Sequence, residues 1–263
     1  MGKLLKQYSD SKNFMARVEL NRRFGTNPHK WTLWLFDQIQ FKKDAKILEL
    51  GCGNAILWKS NLQKIPEDAR IILSDFSGGM LDDAKVILGD ASQRFEYDVM
   101  DAQQIPHPDN SFDIIIANLM LYHIPDREKA ISEISRVLKS DGTFYATAFG
   151  LNYMKELSDL VFNYDKKINC SLKPFARAFG LENGKKQLEE HFEDIKLIKY
   201  RDGLEVTEAE PLVNYVLSFT NVSDFISGDK IKDFSKYITN ILNNKGKIQI
   251  EKESGMFIAK KPY

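Results

Sequence analysis

The sequence predicts an α/β fold: a mostly parallel, doubly wound sheet with helices on both faces. Three observations predict it. Short apolar runs alternate with helical periodicity across residues 46–148, the pattern of repeated β-α-β units. One run, Phe112–Ala117 (FDIIIA), lacks polar alternation, which marks a strand buried on both faces. The first run, Lys46–Leu50 (KILEL), leads into Gly51, Cys52 and Gly53, where glycines permit a tight turn and close backbone approach by a ligand.

The elements follow in order. Residues 12–40 carry Phe14, Val18, Leu20, Phe24, Trp31, Trp34, Leu35 and Phe36 at helical spacing, broken at Asn27-Pro28. Lys46–Leu50 is the first strand, and 56–64 a helix ended by Pro66. Strands at 70–74, 95–99 and 112–117 follow, with a helix over 79–88. Residues 127–138 form an amphipathic helix with Ala130, Ile131, Ile134, Val137 and Leu138 on one face. Residues 142–148 form a fifth strand. Beyond residue 150 come helices over 154–165 and 184–191, a strand at 195–200, helices over 208–219 and 230–243, and a β-hairpin over 247–260 turning at Glu253-Ser254-Gly255. This divides the chain into an N-terminal helical lid (1–43), a ligand-binding core (44–150) and a C-terminal part (151–263). The last part completes the sheet and adds helical cap insertions, with dimerisation as their alternative role.

Composition excludes several classes. The 263 residues hold 37 Lys and Arg against 37 Asp and Glu, a net charge of zero. Nonspecific nucleic-acid affinity rests on a surplus of cations, and none exists. The longest strongly apolar stretch, 114–121, is interrupted by Asn118, far below the roughly 20 residues of a spanning helix, so no membrane segment is expected. The basic N-terminus lacks a signal-peptide apolar region. Two distant cysteines, Cys52 and Cys170, argue against a disulfide or zinc-ribbon framework and for a reducing cytoplasm. Four histidines show neither H-x-x-H nor H-E-x-x-H spacing, so no metal site is expected. The zero also hides an asymmetry. Residues 1–45 hold nine basic and four acidic groups, whereas residues 46–149 hold ten and sixteen.

In an open α/β sheet, ligands bind beyond the carboxyl ends of the strands. Asp75 ends the second strand, 24 residues past Gly51, where a carboxylate accepts from ribose hydroxyls. Asp101 and Ala102 follow the third strand, where a carboxylate can accept from an exocyclic amine. Together they suit a ligand with a ribose and an adenine but no phosphate. Glu49, Asp75 and Asp101 would repel a diphosphate and attract a cation.

These residues carry a resemblance. The runs ILELGCGNA, SDFSGGML, DVMDAQQIPHPDNSFDIIIANLMLYHI and ISEISRVLKSDGTFY resemble the class I S-adenosylmethionine-dependent methyltransferases, in the small-molecule branch that includes ubiquinone/menaquinone-type methylases. The resemblance covers about residues 44–150. It implies a Rossmann-like, seven-stranded sheet with an antiparallel C-terminal strand, S-adenosylmethionine as cofactor and S-adenosylhomocysteine as product. By it, Gly51, Cys52 and Gly53 line the methionine half, and Glu49 orients that loop. Asp75 binds the ribose, with Phe76 on the adenine edge. Asp101 and Ala102 meet the adenine. Asn118, Leu119 and Met120 sit beside the methionine carboxylate and sulfonium, and Tyr122 and His123 face the substrate. The third glycine of the family's loop is Ala55 here, and the later LKPGG turn reads Leu138-Lys139-Ser140-Asp141-Gly142.

His123, just past the fourth strand, is the candidate general base; the competing reading is that it packs or caps the following helix. Tyr8, His29 and Trp31 in the lid, and Phe149, Asn152 and Tyr153 past the fifth strand, are candidates to line the substrate pocket. Phe14, Trp34 and Phe36 read instead as helix-core aromatics. His107, between two prolines, reads as an exposed turn residue. The expected activity is methyl transfer to a small molecule, by a monomer or homodimer without nucleic-acid or membrane partners. The alternatives are an RNA or protein methyltransferase and a non-catalytic S-adenosylmethionine-binding protein. A nicotinamide-dependent dehydrogenase fits poorly, because Ile56 stands where its loop needs a small residue.

Overall fold

The computed structural model describes residues 12–219, 222 and 225–261. The elements are α1 (Lys12–Phe24), α2 (Trp31–Gln38), β1 (Lys46–Leu50), α3 (Ile56–Lys59), β2 (Arg70–Asp75), α4 (Gly78–Leu88), β3 (Phe95–Val99), β4 (Phe112–Ala117), α5 (Arg127–Val137), β5 (Leu138–Phe149), α6 (Lys155–Tyr164), α7 (Lys173–Ala178), α8 (Gly184–Leu188), β6 (Glu193–Val206), α9 (Ala209–Leu217), α10 (Asp229–Lys245) and β7 (Ile248–Lys260).

The seven strands form one sheet in the order β3-β2-β1-β4-β5-β7-β6. β1 pairs in parallel with β2 and β4, β2 with β3, and β4 with β5. β7 runs antiparallel to β5, from Thr143↔Lys260 to Phe149↔Ser254. The sheet is therefore mostly parallel with one reversed C-terminal strand.

Two compact units divide the chain. The first comprises 31–151, 175–200 and 254–261. Its core has two layers. One joins Leu48, Leu50, Ile115 and Phe144 to Ile131 and Ile134 of α5. The other joins Ile47, Ile114, Ile116 and Tyr145 to Leu35 and Phe36 of α2, Trp58 of α3 and Leu81 of α4. Ile114 and Ile115 thus point to opposite layers, which is why FDIIIA shows no alternation.

The second unit comprises 12–30, 152–174 and the described part of 201–253. Leu160, Val161, Leu212, Val216, Phe234 and Ile238 fill its core, with Leu204 of β6 and Ile250 of β7 among them. Asp202 and Lys252 form a buried ion pair between these strands. Asp202 also accepts from the Asn27 N–H at 2.9 Å, and Gly25 forms an antiparallel bridge with Leu204.

The C-terminal segment differs from its expected form. Residues 248–260 are one continuous strand, not a hairpin. Gly255 does not turn; a Cβ there would lie 2.7 Å from the Ile198 carbonyl, so glycine serves close packing of β7 against β6. Residues 138–142, expected as a turn, belong to β5, with a register irregularity between Phe112 and Ile114. The helix expected over 56–64 breaks into α3 and a 3₁₀ turn at Leu62–Lys64. Among the described residues, no helix is long and apolar enough to cross a membrane.

Candidate functional site: the carboxyl edge of the parallel strands

The parallel pairing brings the strand ends to one level. Leu50 lies beside both Ser74 and Ala117, Asp75 beside Val99, and Ala117 beside Ala146. The residues that follow therefore share one edge, all within the first unit.

After β1, the chain passes through left-handed backbone at Gly51 (φ 65°), Gly53 (φ 56°) and Ala55 (φ 58°). Ala55 holds this conformation despite its Cβ, a strain of about 1–2 kcal/mol. A Cβ on Gly51 would sit 2.9 Å from Met120 Cβ, so the loops after β1 and β4 touch. The Cys52 N–H donates to the Ser74 carbonyl at 2.9 Å. Cys52 itself is buried, and burial pushes its thiol well up.

Asp75 locks the loop. Its Oδ2 accepts from the Gly53 N–H at 3.0 Å, and its Oδ1 from the Ser77 N–H at 2.9 Å. Each oxygen keeps a lone pair for an incoming hydroxyl. Burial raises the Asp75 carboxyl, and these backbone donors oppose the rise. Beside it, Phe76 and Val99 stay 41% and 59% exposed, two apolar side chains at a polar rim.

Asp101 is half-buried and tied to Gln103, whose side-chain Nε2 donates to both of its oxygens at 3.0 and 2.9 Å. Ala102 is buried beside it. After β4, Leu119 takes left-handed backbone (φ 53°). Thr147 holds this turn: its Oγ1 accepts from the Leu119 N–H and donates to Asn118 Oδ1, each at 2.8 Å.

Glu49 lies elsewhere than at the loop surface. It is 1% exposed and accepts from the Trp58 indole at 2.5 Å. Burial pushes its carboxyl up to about 8, so it holds its proton at neutral pH.

Tyr122, His123, Phe149 and Phe175 form an aromatic group. The Tyr122 ring lies 4.5 Å from His123, 4.9 Å from Phe149 and 5.4 Å from Phe175, with His123 edge-on to Phe175 at 5.2 Å. Trp31 belongs to a different group, 5.3 Å from Trp34 and 5.1 Å from Tyr200.

Residues 48–146 match the methyltransferase domain family. That stretch of the chain is therefore similar to a methyltransferase domain. A ubiquinone/menaquinone biosynthesis C-methyltransferase of Vibrio cholerae is 29% identical over 136 residues, 51% of this chain and 52% of that protein. The chain thus spans about half the length of the curated relatives it matches. Among solved structures, phosphoethanolamine N-methyltransferase 2 of Haemonchus contortus superposes with a TM-score of 0.60 at 19% identity, covering 98% of this chain and 58% of that one. The YcgJ protein of Bacillus subtilis gives 0.54 at 16%, covering 88% and 98%. These two likenesses concern the fold.

The first unit brings Gly51, Cys52, Gly53, Asp75, Phe76, Asp101, Ala102, Asn118, Leu119 and Met120 to one edge of the sheet. His29, Asn152 and Tyr153 belong to the other unit. There His29 and Asn152 are exposed, and Tyr153 packs against the apolar core. Tyr8 and the Phe14 side chain lie outside the described residues.

Four residues of the site escaped sequence reasoning. Thr147 had a signal, a lone hydroxyl within the apolar run ATAF that had to find a partner. Gln103, Val99 and Phe175 had none. His107 is half-buried, not exposed, with its ring 5.0 Å from Phe112.

Proposed function

We propose that the chain transfers the methyl group of S-adenosylmethionine to a small-molecule acceptor by in-line displacement. The observation that carries this reading is the row of acceptor and apolar groups along one sheet edge. The Asp75 and Asp101 carboxylates, the apolar Phe76 and Val99, and the two left-handed glycines stand there, and the loop 51–55 carries no cation that would seat a phosphate.

These residues fit the cofactor by their chemistry. Asp75 would accept from the ribose hydroxyls and Asp101 from the adenine amine. Phe76 and Val99 would cover the faces of the base. Gly51 to Gly53 and Asn118 to Met120 would hold the methionine end. When bound, S-adenosylmethionine supplies an electrophilic methyl group on a sulfonium. The protein's part is alignment and exclusion of water, which in well-oriented systems is worth up to about 7–11 kcal/mol.

We place the acceptor against Tyr122, His123, Phe149 and Phe175. This aromatic wall favours a flat, unsaturated acceptor over a small aliphatic amine, in keeping with the quinone chemistry named for the Vibrio cholerae relative. Where the acceptor must lose a proton, His123 would take it, a contribution of about 10²–10⁴-fold. The formal charge of zero and two free, buried cysteines support a cytoplasmic enzyme without a nucleic-acid partner.

The test is transfer of label from methyl-labelled S-adenosylmethionine to a panel of demethylated quinols, phenols and phosphoethanolamine. Label on a quinol ring carbon or phenol oxygen is expected. Label on the amine alone would contradict the aromatic acceptor, and turnover unchanged in His123→Ala would remove the base.

A further inference from the structure

The geometry points to Gln103 as a positioning residue that sets the orientation of the Asp101 carboxylate and, through it, the selectivity for a 6-amino purine. This rests on the reading of Asp101 as the adenine acceptor.

Gln103 contacts Asp101 from two sides. Its backbone N–H donates to Asp101 Oδ1 at 2.9 Å, and its side-chain Nε2 donates to Oδ1 at 3.0 Å and Oδ2 at 2.9 Å. A side-chain amide could present either end to a neighbour, but here only one orientation works. The Asp126 N–H points at the other end and meets Oε1 at 3.2 Å. A backbone N–H can only donate, so it requires the carbonyl end, and the amino end must face Asp101. Asp126 is in turn fixed, because its side chain caps α5 by accepting from the Lys129 N–H at 3.1 Å. The carboxylate is therefore held through Gln103 by the start of α5.

The rest of the loop is fastened to the same helix. Arg136 donates to the carbonyls of Ile105 and His107, each at 2.9 Å, and to Asp109 Oδ1 at 2.7 Å. Glu133 accepts from the Ile105 N–H at 2.9 Å. The backbone that carries Asp101 is thus held without Gln103, which leaves Gln103 the narrower task of fixing the carboxylate rotamer. A fixed carboxylate rewards an exocyclic amine and repels a 6-oxo group. A carboxylate free to rotate does neither.

The experiment compares S-adenosylhomocysteine with S-inosylhomocysteine, its 6-oxo counterpart, by calorimetry on the full chain. Gln103→Leu should weaken S-adenosylhomocysteine about tenfold, the worth of a hydrogen bond to a charged group. It should strengthen the weak binding of S-inosylhomocysteine by relieving the repulsion of its 6-oxo group, so the ratio narrows. Gln103→Glu keeps the acceptor for Asp126 but sets a carboxylate against Asp101; it should narrow the ratio too, and it decides the matter if the leucine variant does not fold. Equal losses for both ligands, or no loss in either variant, would overturn the inference. Wild-type protein that binds neither ligand would overturn the cofactor reading on which it rests.

Discussion

The Trp58 indole donates to Glu49 at 2.5 Å inside the core, directly beneath the loop that follows β1. Glu49 is one of three acids that a reading of charge alone would set against a cationic ligand. Because burial pushes its carboxyl up to about 8, it is neutral at pH 7 and adds little to the field. The negative charge at the site comes from Asp75 and Asp101.

This pair makes stability depend on pH in a known direction. The Glu49 carboxyl titrates near 4.5 when exposed and near 8 in the folded chain. The native state therefore holds more protons across that window, and stability falls as pH rises through it. The fall is at most about 5 kcal/mol. Glu49→Gln should flatten the profile and be more stable than wild type at pH 9. Urea unfolding at pH 5, 7 and 9 measures this.

Asp75 has a structural task as well as a binding one. Asp75→Ala leaves the Gly53 and Ser77 N–H groups without their acceptor, at about 1–3 kcal/mol each if they stay dry. Asp75→Asn keeps one acceptor oxygen. Both should lose at least tenfold in S-adenosylhomocysteine affinity, but the alanine variant should melt lower. Calorimetry paired with thermal melts separates the two effects.

Gly51 faces two barriers to replacement. Gly51→Ala must adopt φ 65° and place its Cβ 2.9 Å from Met120 Cβ. The backbone cost is about 1–2 kcal/mol and the overpacking about 1–3 kcal/mol. In a double-mutant cycle with Met120→Gly, which removes the Cβ that alanine would keep, the second cost should be recovered and the first should remain.

Thr147 supports the turn after β4. Thr147→Val removes the acceptor of the Leu119 N–H and the donor to Asn118 Oδ1, and should cost about 1–3 kcal/mol together with turnover. Thr147→Ser keeps both bonds and should restore turnover. Denaturant unfolding and initial rates read the two quantities.

The parallel strands were legible because each is a local pattern, and the residues after them followed from the rule that ligands bind at strand ends. Other features depend on partners distant in sequence. Gln103 matters through Asp126, and Thr147 through Leu119. Phe175 reaches Tyr122 from a helix whose sequence names no partner. Gly255 misled because glycine signals both turns and close approach; only the position of the Ile198 carbonyl distinguishes them.

The most direct test is calorimetric titration of the purified chain with S-adenosylhomocysteine. Saturable binding at one site per chain, weakened in Asp75→Asn, is the expected result. An absence of saturable binding, or binding of NADH in its place, would contradict the account.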